Sequence, residues 1–274
     1  MRELAAEASE IVIVDNSSDP RSAELLRLIE RQFGARLLLN GRNLGIAAAL
    51  NSGIRHAIAK GYAWVATFDQ DSTITPGFFD AMLAAHQAST IRELVPLVAP
   101  VLCVSNEDYQ ARRNRQAGPL SSLTRTAMSS GSLIKTDIFQ KVGFYDEGFF
   151  MDYVDYDFCL RLWQQGWKLI RARQAFLLHR LGLARTHRFL GLKITIKSHT
   201  PWRRYHIMRN RVIVFRRFAF SSPLWCLYDF SWIFLELTKI LLFEPEKLNN
   251  LRHVLKGIAD GLAGKAGPLP STAV

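Results

Sequence analysis

The sequence predicts an α/β protein, a doubly wound and mostly parallel sheet flanked by helices, with a basic helical tail. Three observations carry this reading. Short β-branched runs alternate with segments of helical periodicity through the first hundred residues. Each run ends in a cluster of Asp, Asn, Gly or Ser, at the strand ends where open α/β sheets receive their ligands. Charge is segregated: from Phe158 to Tyr228 there are fifteen Lys and Arg and no Asp or Glu. With 274 residues, 49% of them hydrophobic, the chain can bury one sizeable core or two small ones.

The elements follow in order. Ile11 to Val14 is a β-branched run closed by Asp15-Asn16-Ser17-Ser18-Asp19-Pro20, and Ala23 to Phe33 then spaces its apolar residues as a helix does. Gly34 ends that helix. Ala35 to Leu39 is the next strand, Asn40-Gly41-Arg42-Asn43 a turn, and Leu44 to Ala59 an Ala-rich helix stopped by Lys60-Gly61. Tyr62 to Phe68 is a third strand ending in Asp69-Gln70-Asp71. Thr75-Pro76 supplies the cap and first position of a helix through His86. Leu97 to Val104 is a fourth strand. Helices of this length between strands imply parallel pairing.

Several classes are excluded. Cys103, Cys159 and Cys226 are far apart and form no C-x-x-C pair, which speaks against a disulfide framework or structural zinc and for a reducing compartment. There is neither a P-loop nor a G-x-G-x-x-G fingerprint. MRELAAEAS lacks the apolar core of an export signal, and the most apolar stretch, Phe218 to Leu235, is interrupted by Ser221, Ser222, Pro223 and Asp229, so no spanning helix is expected.

Two acidic clusters carry the chemistry. In Asp69-Gln70-Asp71 the carboxylates at i and i+2 point to one side of an extended backbone and can converge on one hard divalent cation, which would bridge to a diphosphate. The second cluster runs from Asp152 through Asp155 and Asp157 to Arg161, with Phe149, Phe150 and Phe158 around it. Asp155 is read as a helix N-cap or as a base for a substrate hydroxyl, and Asp157 as the partner of Arg161 one turn on. Beside a metal-diphosphate site, a base is the missing component of a transfer reaction.

The motifs Asp15-Asn-Ser-Ser, Asn43-Leu-Gly-Ile-Ala-Ala-Ala-Leu-Asn-Ser-Gly53, Phe68-Asp-Gln-Asp-Ser72, Ser129-Ser-Gly-Ser-Leu-Ile and the Asp152 to Arg161 run, in this order, resemble family 2 glycosyltransferases of the GT-A fold. The rhamnosyltransferases of bacterial O-antigen and capsule assembly are the most similar members. Pro201-Trp-Arg-Arg-Tyr-His-Ile-Met-Arg-Asn-Arg211 and Leu242-Phe-Glu-Pro245 are similar to that subfamily's C-terminal region, and the resemblance covers roughly Ile11 to Gly267.

This resemblance implies a GT-A catalytic domain over residues 1–198 and a helical, basic, membrane-proximal region over 199–274. It implies that Asp15 contacts the nucleotide base, that Asn43 and Gly45 lie against the donor, and that Asp69 sits near ribose and metal. Asp71 is then the main Mg²⁺ or Mn²⁺ ligand, His179 a further one, Asp155 the catalytic base, and Ser130 and Gly131 the border of the acceptor pocket. The implied activity is inverting transfer of a sugar, L-rhamnose from dTDP-β-L-rhamnose, to a glycan on a polyprenyl diphosphate.

Two departures stand out. Relatives begin with another strand ending near Thr-Tyr-Asn, whereas only ten residues precede Ile11, and MRELAAEASE looks like what remains of the first helix; a start assigned too late is the expectation. Val154 stands where many relatives have Glu.

The basic block suits an anionic partner: nucleic acid, a diphosphate-bearing substrate or an anionic membrane surface. The resemblance favours the membrane, giving a cytoplasmic protein peripheral on the inner face of the cytoplasmic membrane. There Trp225, Trp232, Phe234, Leu235, Ile240 and Leu241 would form an interfacial helix pair, or else pack inward or against a second copy of the chain. No helix-turn-helix, RRM or zinc spacing supports nucleic-acid binding. An inactive relative acting as a scaffold is the remaining alternative.

Overall fold

The computed structural model describes residues 1–269 except 18, 116–117, 180–183, 190–191 and 198. The chain divides into two compact units, Met1–Glu147 with Asp155–Arg180, and Gly148–Val154 with Leu181–Val274.

The first unit runs α1 (Arg2–Glu7), β1 (Val12–Asp15), α2 (Pro20–Phe33), β2 (Arg36–Leu39), α3 (Ile46–Ala59), β3 (Trp64–Ala66), β4 (Ser72–Ile74), α4 (Phe78–Gln87), β5 (Leu97–Cys103), α5 (Asn106–Asn114), β6 (Ser121–Thr124), β7 (Leu133–Lys135), α6 (Ile138–Val142), α7 (Val154–Gln164) and β8 (Leu169–His179). The predicted alternation is present, and Gly34 closes α2 in the left-handed conformation at φ 63°.

The sheet corrects the parallel expectation. Its strands pair in the order β3-β7-β5-β8-β4, with β6 also on β8, and among these described strands β5 and β8 alone pair in parallel, beside an isolated parallel bridge from Thr67 to Ser130. β7 runs antiparallel to both β3 and β5, and β6 antiparallel to β8, although helices separate each from a partner in the chain. β1 pairs in parallel with β2 alone, and β3 with β7 alone, among the described residues. Ile74, Phe78, Met82, Val98, Leu133, Ile170 and Leu177 form the core between sheet and α4.

Two predicted helix starts also shift. α4 begins at Phe78 after a left-handed Gly77 (φ 71°) instead of at Thr75-Pro76. The Thr75 hydroxyl donates to the Phe176 carbonyl, and the Glu7 carboxylate accepts the N–H groups of Gly77 and Phe79 at 2.9 and 3.2 Å. The first-turn donors are thus satisfied from α1, not from a local cap. In α7 the helix includes Val154, so Asp155 lies in its first turn and is not the N-cap.

The second unit contains β9 (Ala184–Phe189), β10 (Leu192–Lys197), α8 (Pro201–Phe218), α9 (Pro223–Phe243) and α10 (Lys247–Leu262). β9 and β10 form an antiparallel pair, so the predicted boundary after residue 198 falls inside this unit. Met208, Ile233, Ile240 and Val254 make its core. α10 meets α8 along Gly257 and Gly261, where a Cβ would approach the Tyr205 carbonyl to 2.5 Å and the Arg209 carbonyl to 2.7 Å. Only glycine permits that approach.

Instead of the predicted interfacial pair there is one continuous helix, α9. It exposes Leu224, Leu227, Tyr228, Trp232, Phe234, Leu235 and Leu241, but buries Ile240 in the core. No helix among the described residues is long and apolar enough to cross a membrane.

Candidate active site

Two loops meet at the end of the β1–β2 pair. Asp15, buried at the end of β1, accepts the Ser17 N–H on Oδ1 at 2.9 Å. Asn16 then clasps the loop after β2. Its amide nitrogen donates to Asn43 Oδ1 and the Gly45 carbonyl at 3.1 and 3.0 Å, and its oxygen accepts from Asn40 and the Leu44 N–H. Gly45, at φ 89°, precedes the first turn of α3. The predicted Asp15, Asn43 and Gly45 are therefore one assembly, joined through Asn16, which the sequence reading quoted but gave no role.

The second assembly forms where β3 ends. Ser72 opens β4, and the β4–β8 register sets Ser72 opposite His179. A residue 108 positions beyond Asp71 thereby arrives beside the acidic triplet. Asp69, Asp71 and His179 each offer a ligand atom within 4.8 Å of the others. Two carboxylate oxygens and an imidazole nitrogen are a donor set that accepts Mg²⁺ or Mn²⁺, the nitrogen being better suited to manganese. The His179 Nδ1 lies 3.5 Å from Asp71 Oδ1 and 2.9 Å from the Ser72 hydroxyl. Burial pushes the Asp69 carboxyl above the ordinary range; His179 opposes this and Asp71 reinforces it.

Ser130 supports the group from β7's approach. Its hydroxyl accepts the Asp69 N–H at 3.0 Å and meets Ser72 Oγ at 2.8 Å, while the Gly131 N–H donates to the Thr67 carbonyl. Gly131 has φ 79°, and a Cβ there would lie 2.8 Å from the side chains of both Leu177 and Pro100, so any other residue is strained and crowded. Ser72 is the component that sequence reasoning missed; its adjacency to the triplet was the available signal.

Asp155 is half-buried in the first turn of α7, its Oδ1 accepting the Tyr156 N–H. Asp157 is fully buried and paired with Arg161 at 2.8 Å, as predicted, and Arg161 also donates to the carbonyls of Val142 and Phe144. That carboxylate is consumed structurally. The phenol of Tyr145 is driven well up by burial, with Cys159 and Asp155 adding to the effect.

Ahead of α7 the chain passes through Phe150, Asp152 and Tyr153, all at positive φ, a conformation costly for non-glycine residues. Within the second unit this loop is held from α8. The Asn210 amide donates to the carbonyls of Phe149, Met151 and Asp152, Arg209 to those of Gly148 and Phe149, and Arg203 pairs with Asp152 at 2.9 Å. Arg211 and the Tyr153 hydroxyl converge on Asp229.

A mixed α/β sheet with Asp69 and Asp71 at a strand exit accords with a GT-A glycosyltransferase, and the comparisons give that class. Residues 2–151 match the family described as Glycosyl transferase family 2, and the chain belongs to that family. It is 26% identical over 273 residues to the dTDP-rhamnosyl transferase RfbF of Shigella flexneri, covering 97% of this chain and 90% of that one. It is 27% identical to the uncharacterized protein Mb1552 of Mycobacterium bovis over 74% of this chain and 72% of that one. The fold is shared with GalNAc-T7, solved with UDP, GalNAc and Mn²⁺, at a TM-score of 0.58 and 16% identity, over 96% of this chain and 51% of the other. The chain thus spans about half the length of that solved protein.

Proposed function

We propose that the protein transfers L-rhamnose from dTDP-β-L-rhamnose to a hydroxyl of a lipid-linked glycan in cell-surface polysaccharide synthesis, O-antigen or capsule. The observation that carries this is the gathering of Asp69, Asp71 and His179 at the exit of β3. The rhamnose assignment draws on similarity to RfbF over nearly the whole chain.

Asp69, Asp71 and His179 would hold Mg²⁺ or Mn²⁺, which offsets the charge developing on a departing diphosphate. Asp15 and the Asn43–Gly45 loop bind the nucleotide end of the donor, and Ser130 and Gly131 border the acceptor. The acceptor hydroxyl attacks C1 from the face opposite the diphosphate; the new C1–O bond forms as the bond to the diphosphate breaks. The hydroxyl proton passes to the Asp155 carboxylate, and dTDP leaves. One displacement inverts the centre, so a β-L donor yields an α-L-rhamnoside.

The acceptor's polyprenyl diphosphate places the reaction at the inner face of the cytoplasmic membrane. The exposed aromatic and aliphatic face of α9 supports peripheral attachment there.

The test is a donor panel of dTDP-rhamnose and UDP-sugars with a lipid-linked acceptor, with and without Mn²⁺. Transfer from dTDP-rhamnose alone, lost on chelation, is expected; indifference to every donor in either condition overturns the reading. Asp155→Asn should lower turnover about a hundred- to ten-thousandfold with donor binding retained; wild-type turnover in that variant removes the base assignment. Flotation with anionic liposomes at low salt reads the attachment, and absence of any association there counts against it.

A further inference from the structure

Where β5 lies along β8 the ladder breaks. Ala99 pairs with Arg171 and Val101 with Phe176, so Pro100 alone faces the four residues from Ala172 to Ala175. Proline has no N–H to offer the ladder, and the longer strand bulges. Ala172 turns into the core and is fully buried. Its neighbours Arg171 and Arg173, at i and i+2, leave on the opposite face.

The bulge opens a cleft of about 400 Å³ lined by Arg171, Arg173, Arg112 of α5, Ser122, Ser130 and Pro100, with Ala127 and Met128 among its apolar walls. Arg112 from α5 and Arg171 and Arg173 from β8 border this space, and the described residues that line it include no carboxylate. Asp108, from outside the lining, holds Arg112 at 2.7 Å through Nε. Arg171 reaches the Thr124 hydroxyl at 3.4 Å. The donor array of forked guanidiniums and hydroxyls matches the several oxygens of a phosphoryl group.

Location gives the cleft its meaning. Ser130 lines it on one side and on the other accepts the Asp69 N–H and meets Ser72, which in turn bonds His179. A molecule in the cleft is one hydroxyl away from the acidic group. We propose that the cleft is a subsite for a phosphate or diphosphate carried by the acceptor, which Arg171 and Arg173 grip so that the acceptor hydroxyl is presented to the donor. This rests on the reading of Asp69 and Asp71 as the donor's metal-diphosphate site.

Pyrophosphate titrated calorimetrically into the whole protein in EDTA isolates the cleft, because the carboxylate group without metal repels the anion. Saturable binding is expected, weakened about tenfold or more in Arg171→Gln/Arg173→Gln and in Arg112→Gln. dTDP binding with Mn²⁺ should stay within about twofold in the same variants, which certifies their fold and the donor site separately. Equal pyrophosphate affinity in wild type and variants, or none in a wild type that binds dTDP with Mn²⁺, overturns the proposal. Loss of dTDP binding with pyrophosphate binding intact would instead remove the donor-site reading and leave the cleft. Matched glycans tell the two sources of the anion apart. If KM rises when a diphosphate aglycone is exchanged for a methyl group, the linkage to lipid is read; if it rises only when a phosphate ester is removed from the sugar, the glycan is read.

Discussion

The acidic group after β3 and the arginines of α8 are both dense in charge, and they use it in opposite ways. Asp71 and His179 face each other across 3.5 Å with the Asp71 side chain 46% exposed, in an arrangement that a dication would complete. On α8, Arg204 and Arg209 are buried, Arg204 between Glu236 and Glu244 and Arg209 on backbone carbonyls, while Arg211 meets Asp229. On the function proposed above, the first cluster holds its charge for a cation; the second has spent it on folding. Counting basic residues from Phe158 to Tyr228 therefore overstates what a membrane or nucleic acid could meet. In linear sequence the two look alike, since pairing partners such as Glu236 and Glu244 stand a full helix away.

The contrast is open to test, and the sharpest break is at Asp71. Asp71→Asn should lower kcat/KM about a hundredfold or more through lost charge at the metal site, with thermal stability unchanged. A fall in melting temperature matching the loss of activity would put Asp71 in the structural class. Arg204→Ala should do the reverse: removing the buried cation between Glu236 and Glu244, of which Glu236 keeps Lys239 at 3.7 Å, costs on the order of 3 kcal/mol, read by urea denaturation. An unchanged midpoint would mean that those carboxylates find water instead.

Smaller effects sharpen the picture. Gly257→Ala, which forces a methyl against the Tyr205 carbonyl, should cost about 1–3 kcal/mol by separating α8 from α10. The smallest is a pH effect at His206, which packs against Phe150, Trp202 and Tyr205. Burial, with Arg209 adding, lowers its pKa to about 4. The folded state therefore keeps it neutral while the unfolded chain protonates below about 6.5. Stability is complete above that value and declines as pH falls toward 4, by about 2 kcal/mol at pH 5. His206→Gln should flatten the melting temperature between pH 7 and 5; an unaltered slope would assign the acid sensitivity elsewhere.

Much of this was legible locally. The strand runs, the Gly34 stop, the acidic triplet and the Asp157–Arg161 pair depend on neighbours within a few positions, where periodicity and capping chemistry act. The antiparallel returns of β6 and β7, the Glu7 cap on α4 and the clasp made by Asn16 were not, because each joins segments tens of residues apart.

By itself, then, the sequence determined most of the strand and helix runs of the first hundred residues, where two carboxylates leave a strand together, and which family the motifs resemble. Only the tertiary structure decided that β4 pairs with β8 so that His179 reaches those carboxylates, that Pro100 opens a cleft beside Ser130, and that α8 turns Arg204, Arg209 and Arg211 inward. The physical reason is range. Backbone torsions and side-chain periodicity are settled within a turn or a strand, whereas strand register and burial of charge are settled by the whole packed unit at once.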